Sequence, residues 1–128
     1  LLDRLPGARV VLGGRRDPQA LDAIERTFLE TPGIAGRLSY RRLDLDDAER
    51  LATQVAALRA DFGRLDGVFH AAGTTRDRAL RQKTADELRA VFAPKVLGLV
   101  NLDRALGAAG VDHLVLFSSL SAVGGNPG

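Results

Sequence analysis

Short apolar runs that read as strands alternate four times with segments of helical periodicity, and this alternation constrains the fold more than any other property of the chain. Residues 8–13 form an apolar run rich in β-branched side chains and bounded by glycine, which predicts a buried strand. Asp17-Pro18 reads as a helix N-cap followed by proline at the first helical position. Leu21, Ile24 and Phe28 then recur at helical spacing up to the breaker Thr31-Pro32-Gly33. Residues 38–43 predict a second strand. Asp46, with Glu49 three residues on, predicts the start of a helix that carries Leu51, Val55 and Leu58 on one face and stops at Gly63. Residues 65–70 predict a third strand with Ala71-Ala72-Gly73 as a tight exit. Thr84 and Glu87 frame a capping box for the next helix, with Leu88 and Val91 on its apolar side. Proline disrupts helix interiors, so Pro94 is expected to end that helix and begin another, which runs to the glycines at 107 and 110. Residues 113–117 predict a fourth strand and residues 118–128 a glycine-rich loop. The pattern predicts an α/β fold: a doubly wound parallel sheet, its strands covered by helices on both faces.

Composition removes several function classes. At 128 residues the chain has room for one domain. Eighteen basic and sixteen acidic residues leave a net charge of +2, and the arginines are scattered among acids. Nucleic-acid binding calls for a basic stripe, so no nucleic-acid partner is expected. No apolar run approaches the roughly 18 residues that span a bilayer, so no membrane partner is expected either. Cysteine is absent, which leaves neither disulfides nor thiolate metal sites and fits a reducing cytoplasm. The two histidines, His70 and His113, make no metal constellation, and His70 is expected to be half-buried with its hydrogen bonds satisfied.

In open parallel sheets, ligands bind beyond the carboxyl ends of the strands. The residues there are Gly14-Arg15-Arg16, Asp44-Leu45-Asp46, Ala71-Ala72-Gly73 and Ser118-Ser119. Guanidinium groups grip phosphate through paired donors, so Arg15 and Arg16 suit the 2′-phosphate of NADP, or else they are a solvent-exposed pair. Asp44 is either an acceptor for an adenine amino group or a turn residue. Small residues at 71–73 would let a ligand approach the backbone, or simply make a turn. Ser119 has no base placed to make it a nucleophile and is better suited to hydrogen-bond a substrate oxygen. Lys95, one of only two lysines, is expected just inside a helix start, where the helix dipole gives its charge no benefit. That placement calls for another reason.

Four segments together resemble the ketoreductase domains of modular polyketide synthases, of the short-chain dehydrogenase/reductase superfamily. They are RVVLGGRR (residues 9–16), DGVFHAAG (66–73), APKVLG (93–98) and LVLFSSLSAVGGNPG (114–128). The lysine of the PKVxG segment distinguishes the synthase-type enzymes from general short-chain dehydrogenases. The resemblance implies a Rossmann-like fold and NADPH-dependent reduction of a β-ketoacyl thioester to a β-hydroxyacyl thioester. The implied partners are an acyl carrier protein, which presents the substrate on phosphopantetheine, and other synthase domains in the same chain. It implies that Ser119 hydrogen-bonds the substrate carbonyl and that Lys95 contacts the nicotinamide ribose and lowers the pKa of a catalytic tyrosine. Arg15 and Arg16 would hold the 2′-phosphate, Asp44 and Leu45 would border the adenine, and Ala71, Ala72 and Gly73 would line the cofactor path.

The resemblance also places a first strand and a glycine-rich dinucleotide loop before Leu1, and the catalytic tyrosine and an asparagine beyond Gly128. Residues 1–128 are therefore expected to be the central part of the domain, with no strand to join the first two to the last two. Such a piece is expected to be neither active nor stable alone. Thr75-Arg76-Asp77 aligns with the family's LDD motif and keeps its last aspartate. Gly124 stands where the opposite stereochemical class has tryptophan, so Asp77 implies a B-type, D-configured alcohol. The alternatives are a free-standing short-chain dehydrogenase acting on a small soluble substrate, and a non-catalytic domain that keeps the fold.

Overall fold

The computed structural model describes residues 1–119 and 121–125, apart from the side chains of Leu80 and Ala122. The chain divides into two compact units, Leu1–Asp44 and the remainder from Leu45.

In the first unit, β1 (Val10–Gly14) and β2 (Leu38–Arg42) pair in parallel, from Val10 opposite Leu38 to Gly14 opposite Arg42. Glycine at the end of β1 is a packing requirement. A Cβ on Gly13 would stand 2.5 Å from Leu43 Cδ1, and one on Gly14 would stand 2.6 Å from Tyr40 Oη. The room left by Gly14 lets the Tyr40 hydroxyl donate to the Arg16 carbonyl at 3.0 Å and fix the exit of β1.

The helix expected from Asp17 is two elements. Asp17 caps only a single 3₁₀ turn, Pro18–Ala20. Helix α1 (Ala23–Leu29) begins after Asp22, which forms a reciprocal capping box with Glu25 at 2.9 Å in each direction. The expected apolar stripe is buried only at its start: Leu21 is buried, but Ile24 is 82% and Phe28 53% exposed.

The second unit contains α2 (Ala48–Phe62), β3 (Gly67–His70), α3 (Ala85–Phe92), α4 (Gly98–Leu106), β4 (His113–Leu116) and α5 (Ser121–Gly124). Helix α2 starts one residue later than expected, because the Asp47 carboxylate, not that of Asp46, accepts from the Arg50 amide at 3.0 Å. Gly63 ends it as expected, at φ +82°, a conformation open to glycine. Leu51, Val55 and Leu58 are buried as the periodicity requires, and Leu51 and Val55 form one cluster with Leu102 and Leu106 of α4. Val68 of β3 packs on that cluster, so the helices lie against the face of β3 that carries Val68. Arg59 of α2 donates to the carbonyls of Leu106 and Gly110, both at 2.9 Å, capping the end of α4 where a cation is electrostatically favoured.

β3 and β4 are parallel, from Gly67 opposite His113 to His70 opposite Leu116. Among the described residues β1 pairs with β2 and β3 with β4, in two separate two-stranded sheets. This pairing corrects the expectation of covered strands. Every residue of β4 is exposed, and β1 is only intermediate to exposed. Side chains alternate faces along a strand, so Phe69 (56% exposed) and Val115 lie opposite the helix-covered face. The glycine-rich loop expected from residue 118 contains the short helical turn α5. The parts of that expectation at Leu120 and residues 126–128 lie outside the described residues.

Candidate functional site

In the first unit, Arg15 and Arg16 follow β1, both exposed, and their circumstances differ. Arg16 is ion-paired with Glu25 of α1. Arg15 has no hydrogen bond or ion pair among the described residues. Of the two guanidinium groups, Arg15 is the one with its donors uncommitted. Asp44, half-buried, closes the first unit two residues after β2.

In the second unit, β3 and β4 end side by side. The Phe117 amide donates to the His70 carbonyl at 3.1 Å, so residues 71–73 and 117–119 leave neighbouring parallel strands at the same edge. Such strands lie roughly 4.8 Å apart. The exit after β3 is more open than expected: residues 71–79 form no regular element. Asp77 lies exposed in this segment between two anchored neighbours. The Arg76 carbonyl accepts from Lys83 Nζ at 2.5 Å, and Arg78 pairs with Glu87 at 3.3 Å. Glu87 also accepts from the Thr84 amide, completing the predicted capping box of α3. That backbone hydrogen bond, aided by Arg78 and Lys83, holds the Glu87 carboxyl below its ordinary pKa.

Pro94 does not break the helix. Residues Ala93–Leu97 form a π-helical turn that joins α3 to α4, closed by the Gly98 amide donating to the Ala93 carbonyl five residues back. An α-helical proline would clash with the carbonyl four residues earlier, and the wider turn relieves this. Lys95 therefore sits on a π turn inside a continuous helical rod, not at a helix start, and the dipole argument does not apply to it. Turns of this kind recur at functional sites. The Lys95 stem lies along the β3 exit: a Cβ on Gly73 would stand 3.2 Å from Lys95 Cε. The space at Gly73, expected for a ligand, accommodates the lysine's own side chain, while the ammonium end is exposed.

Ser119 is exposed, and its Oγ accepts from the Ser121 amide at 3.2 Å, so the hydroxyl is tethered at the β4 exit beside α5. It keeps its proton to donate elsewhere. Lys95 and Ser119 thus approach the same edge of one parallel pair from two distant segments.

Of three further residues here, the sequence reading misjudged one and missed two. His70 is buried, at 9% exposure, and its Nε2 has no partner among the described residues, contrary to the expectation that it is satisfied. Asn101 is 4% exposed and donates from Nδ2 to the Leu45 carbonyl at 2.8 Å. Gly98 is buried against Leu45, whose Cβ would stand 2.9 Å from a Cβ on the glycine. The signal for Asn101 was in the sequence: an amide among the apolar residues of LGLVNL.

Comparison with known proteins gives the family and the fold. Residues 4–128 match the sequence profile of the KR domain. Polyketide synthase PksN of Bacillus subtilis is 38% identical over 120 residues, which is 93% of this chain and 2% of that protein. Polyketide synthase ThaG of Burkholderia thailandensis is 37% identical over 128 residues, 100% of this chain and 2% of that one. Among solved structures, a ketoreductase domain from the bacillaene assembly line superposes with a TM-score of 0.86 at 30% identity, covering 99% of this chain and 30% of that one. The ketoreductase from the first module of phoslactomycin biosynthesis in a Streptomyces species gives 0.74 at 33% identity, covering 94% and 28%. The chain therefore spans a small part of each relative.

Proposed function

Because the chain belongs to the KR domain family, with the Rossmann-like fold of the short-chain dehydrogenases, we propose that residues 1–128 are part of a ketoreductase that uses NADPH to reduce a β-ketoacyl thioester. The substrate is carried on the phosphopantetheine of an acyl carrier protein, in a synthase whose other domains share the chain, and the location is cytoplasmic. The observation that carries this reading is the convergence of the Lys95 stem, against Gly73, and the Ser119 hydroxyl on the shared exit of β3 and β4.

The residues present fit the cofactor. Arg15 has free donors for a 2′-phosphate, with Arg16 behind it on Glu25. Asp44 and Leu45 border the adenine. Ala71, Ala72 and Gly73 keep bulk away from the path to Lys95. When bound, NADPH supplies a hydride. As the ketone carbon is reduced, negative charge grows on its oxygen, and the Ser119 hydroxyl donates to that oxygen. The Lys95 ammonium, whose stem runs against Gly73, would hold a ribose hydroxyl and favour proton delivery by a neighbouring acid. Asp77, exposed between two anchored residues, would face the substrate and direct a B-type, D-configured product.

The test uses the complete domain and a β-ketoacyl thioester. Removing an oxyanion donor costs about 10²–10³ in kcat, so Ser119→Ala should fall in that range with KM for NADPH unchanged. Arg15→Ala should raise KM for NADPH and leave that for NADH unaltered, with a smaller effect from Arg16→Ala. Full activity in Ser119→Ala, or equal use of NADH by the wild type, overturns the proposal. A predominantly L product overturns the role of Asp77. Residues 1–128 alone should neither melt cooperatively nor bind NADPH.

A further inference from the structure

We propose that Asn101 and Gly98 of α4 are positioning residues for the adenine end of the cofactor, acting through Leu45. The inference rests on the NADPH reading above and adds to it two residues that touch neither cofactor nor substrate.

Three independent features fix Leu45. Its carbonyl accepts from the Asn101 carboxamide at 2.8 Å. Its Cβ lies where only a glycine at 98 leaves room, since an added Cβ would meet it at 2.9 Å. Its side chain packs on the cluster of Leu51, Val55, Leu102 and Leu106. A buried carboxamide on an apolar helix face is costly unless it has a partner, and the Leu45 carbonyl is that partner for Nδ2. A side chain in contact with a flat adenine ring needs a fixed backbone more than it needs chemical reactivity. The bond from Asn101 and the space above Gly98 provide one here. Lys95, Gly98 and Asn101 follow one another at intervals of three residues, so the segment that carries the ammonium also holds Leu45.

The two residues can be perturbed in opposite structural senses. Asn101→Leu keeps the size and removes the donor. Gly98→Ala favours the helix itself, because alanine is the better helix former, yet it pushes Leu45 away. A shared effect on the adenine end would therefore not come from loss of helix.

The experiment titrates the complete domain with NADPH and with adenosine 2′,5′-bisphosphate, which lacks the nicotinamide half, and measures kcat at saturating NADPH. Loss of a buried hydrogen bond predicts about tenfold weaker binding of both ligands in Asn101→Leu. Gly98→Ala should weaken both ligands by a common factor, and kcat should remain at the wild-type value in both variants. Unchanged affinity for the bisphosphate overturns the proposal. So does a fall in kcat with affinity intact, which would mean that Asn101 acts through Lys95. Failure of the wild-type domain to bind NADPH at all overturns the functional reading itself, and is distinguished by being read before any variant.

Discussion

The two units of the chain are built to different standards of packing. Between Leu1 and Asp44 the buried hydrophobic side chains are Leu21 and Leu38, and Phe28 of α1 is half exposed. From Leu45 onward Leu51, Val55, Leu58, Leu102 and Leu106 are buried, and α2 and α4 share one cluster with β3. The residues assigned to each unit divide in the same way. Arg15 and Arg16, long exposed side chains suited to a phosphate, are on the thinly packed unit. Lys95, Ser119 and the Asn101–Leu45 bond, whose proposed roles depend more closely on position, belong to the other unit. Charge attraction tolerates an imprecise support, whereas groups acting at a reacting carbonyl require a rigid one.

The comparison breaks most easily at Leu51, which is completely buried. In the complete domain, Leu51→Ala should cost about 2–5 kcal/mol by chemical denaturation. Phe28→Ala should cost under about 1 kcal/mol, since half of that ring is already in water. Equal losses would abolish the distinction between the units. Next comes Arg59→Ala, which frees the carbonyls of Leu106 and Gly110 and should cost about 2 kcal/mol. Gly63→Ala follows at about 1 kcal/mol, from forcing a side chain into φ +82°.

The smallest effect is at the capping box of α3. The Glu87 carboxyl is more acidic in the folded chain than in the unfolded one, chiefly through the Thr84 amide, so as pH falls the unfolded chain takes up the proton first. The contribution is complete above the unfolded carboxyl's pKa and disappears as pH drops through the lower folded value. Glu87→Gln should flatten the acid limb of the stability–pH curve in that range. An unchanged limb would show that the bond has no bearing on acid stability.

How much of this was legible in the sequence depends on the range of the interaction involved. Thr84 and Glu87 were found because a capping box is written within four consecutive residues. Leu51, Val55 and Leu58 were found because one face of a helix repeats locally. Ile24 and Phe28 were misjudged because a repeat along a helix shows which side chains share a face, not what covers that face. Pro94 was read by its general effect, and the π turn that accommodates it depends on neighbouring turns. The burial of β1 and β4 was overestimated because apolar composition shows what a strand can cover itself with, not which partner is alongside. The edge shared by Lys95 and Ser119 was anticipated from strand order, but Asn101 was not, because its partner is distant in sequence.

The π turn at Ala93–Leu97 also makes the helix sensitive to length rather than to chemistry alone. A wide turn holds one residue more than an α-helical one, so deleting Pro94 would allow the whole span to run as a regular rod. The extra residue is taken up within that one turn, so the helix on either side would keep its facing, whereas Lys95, inside the turn, would not. A single-codon loss there would act like pulling out a shim: the rod would survive, and its ammonium would swing away from the β3 exit.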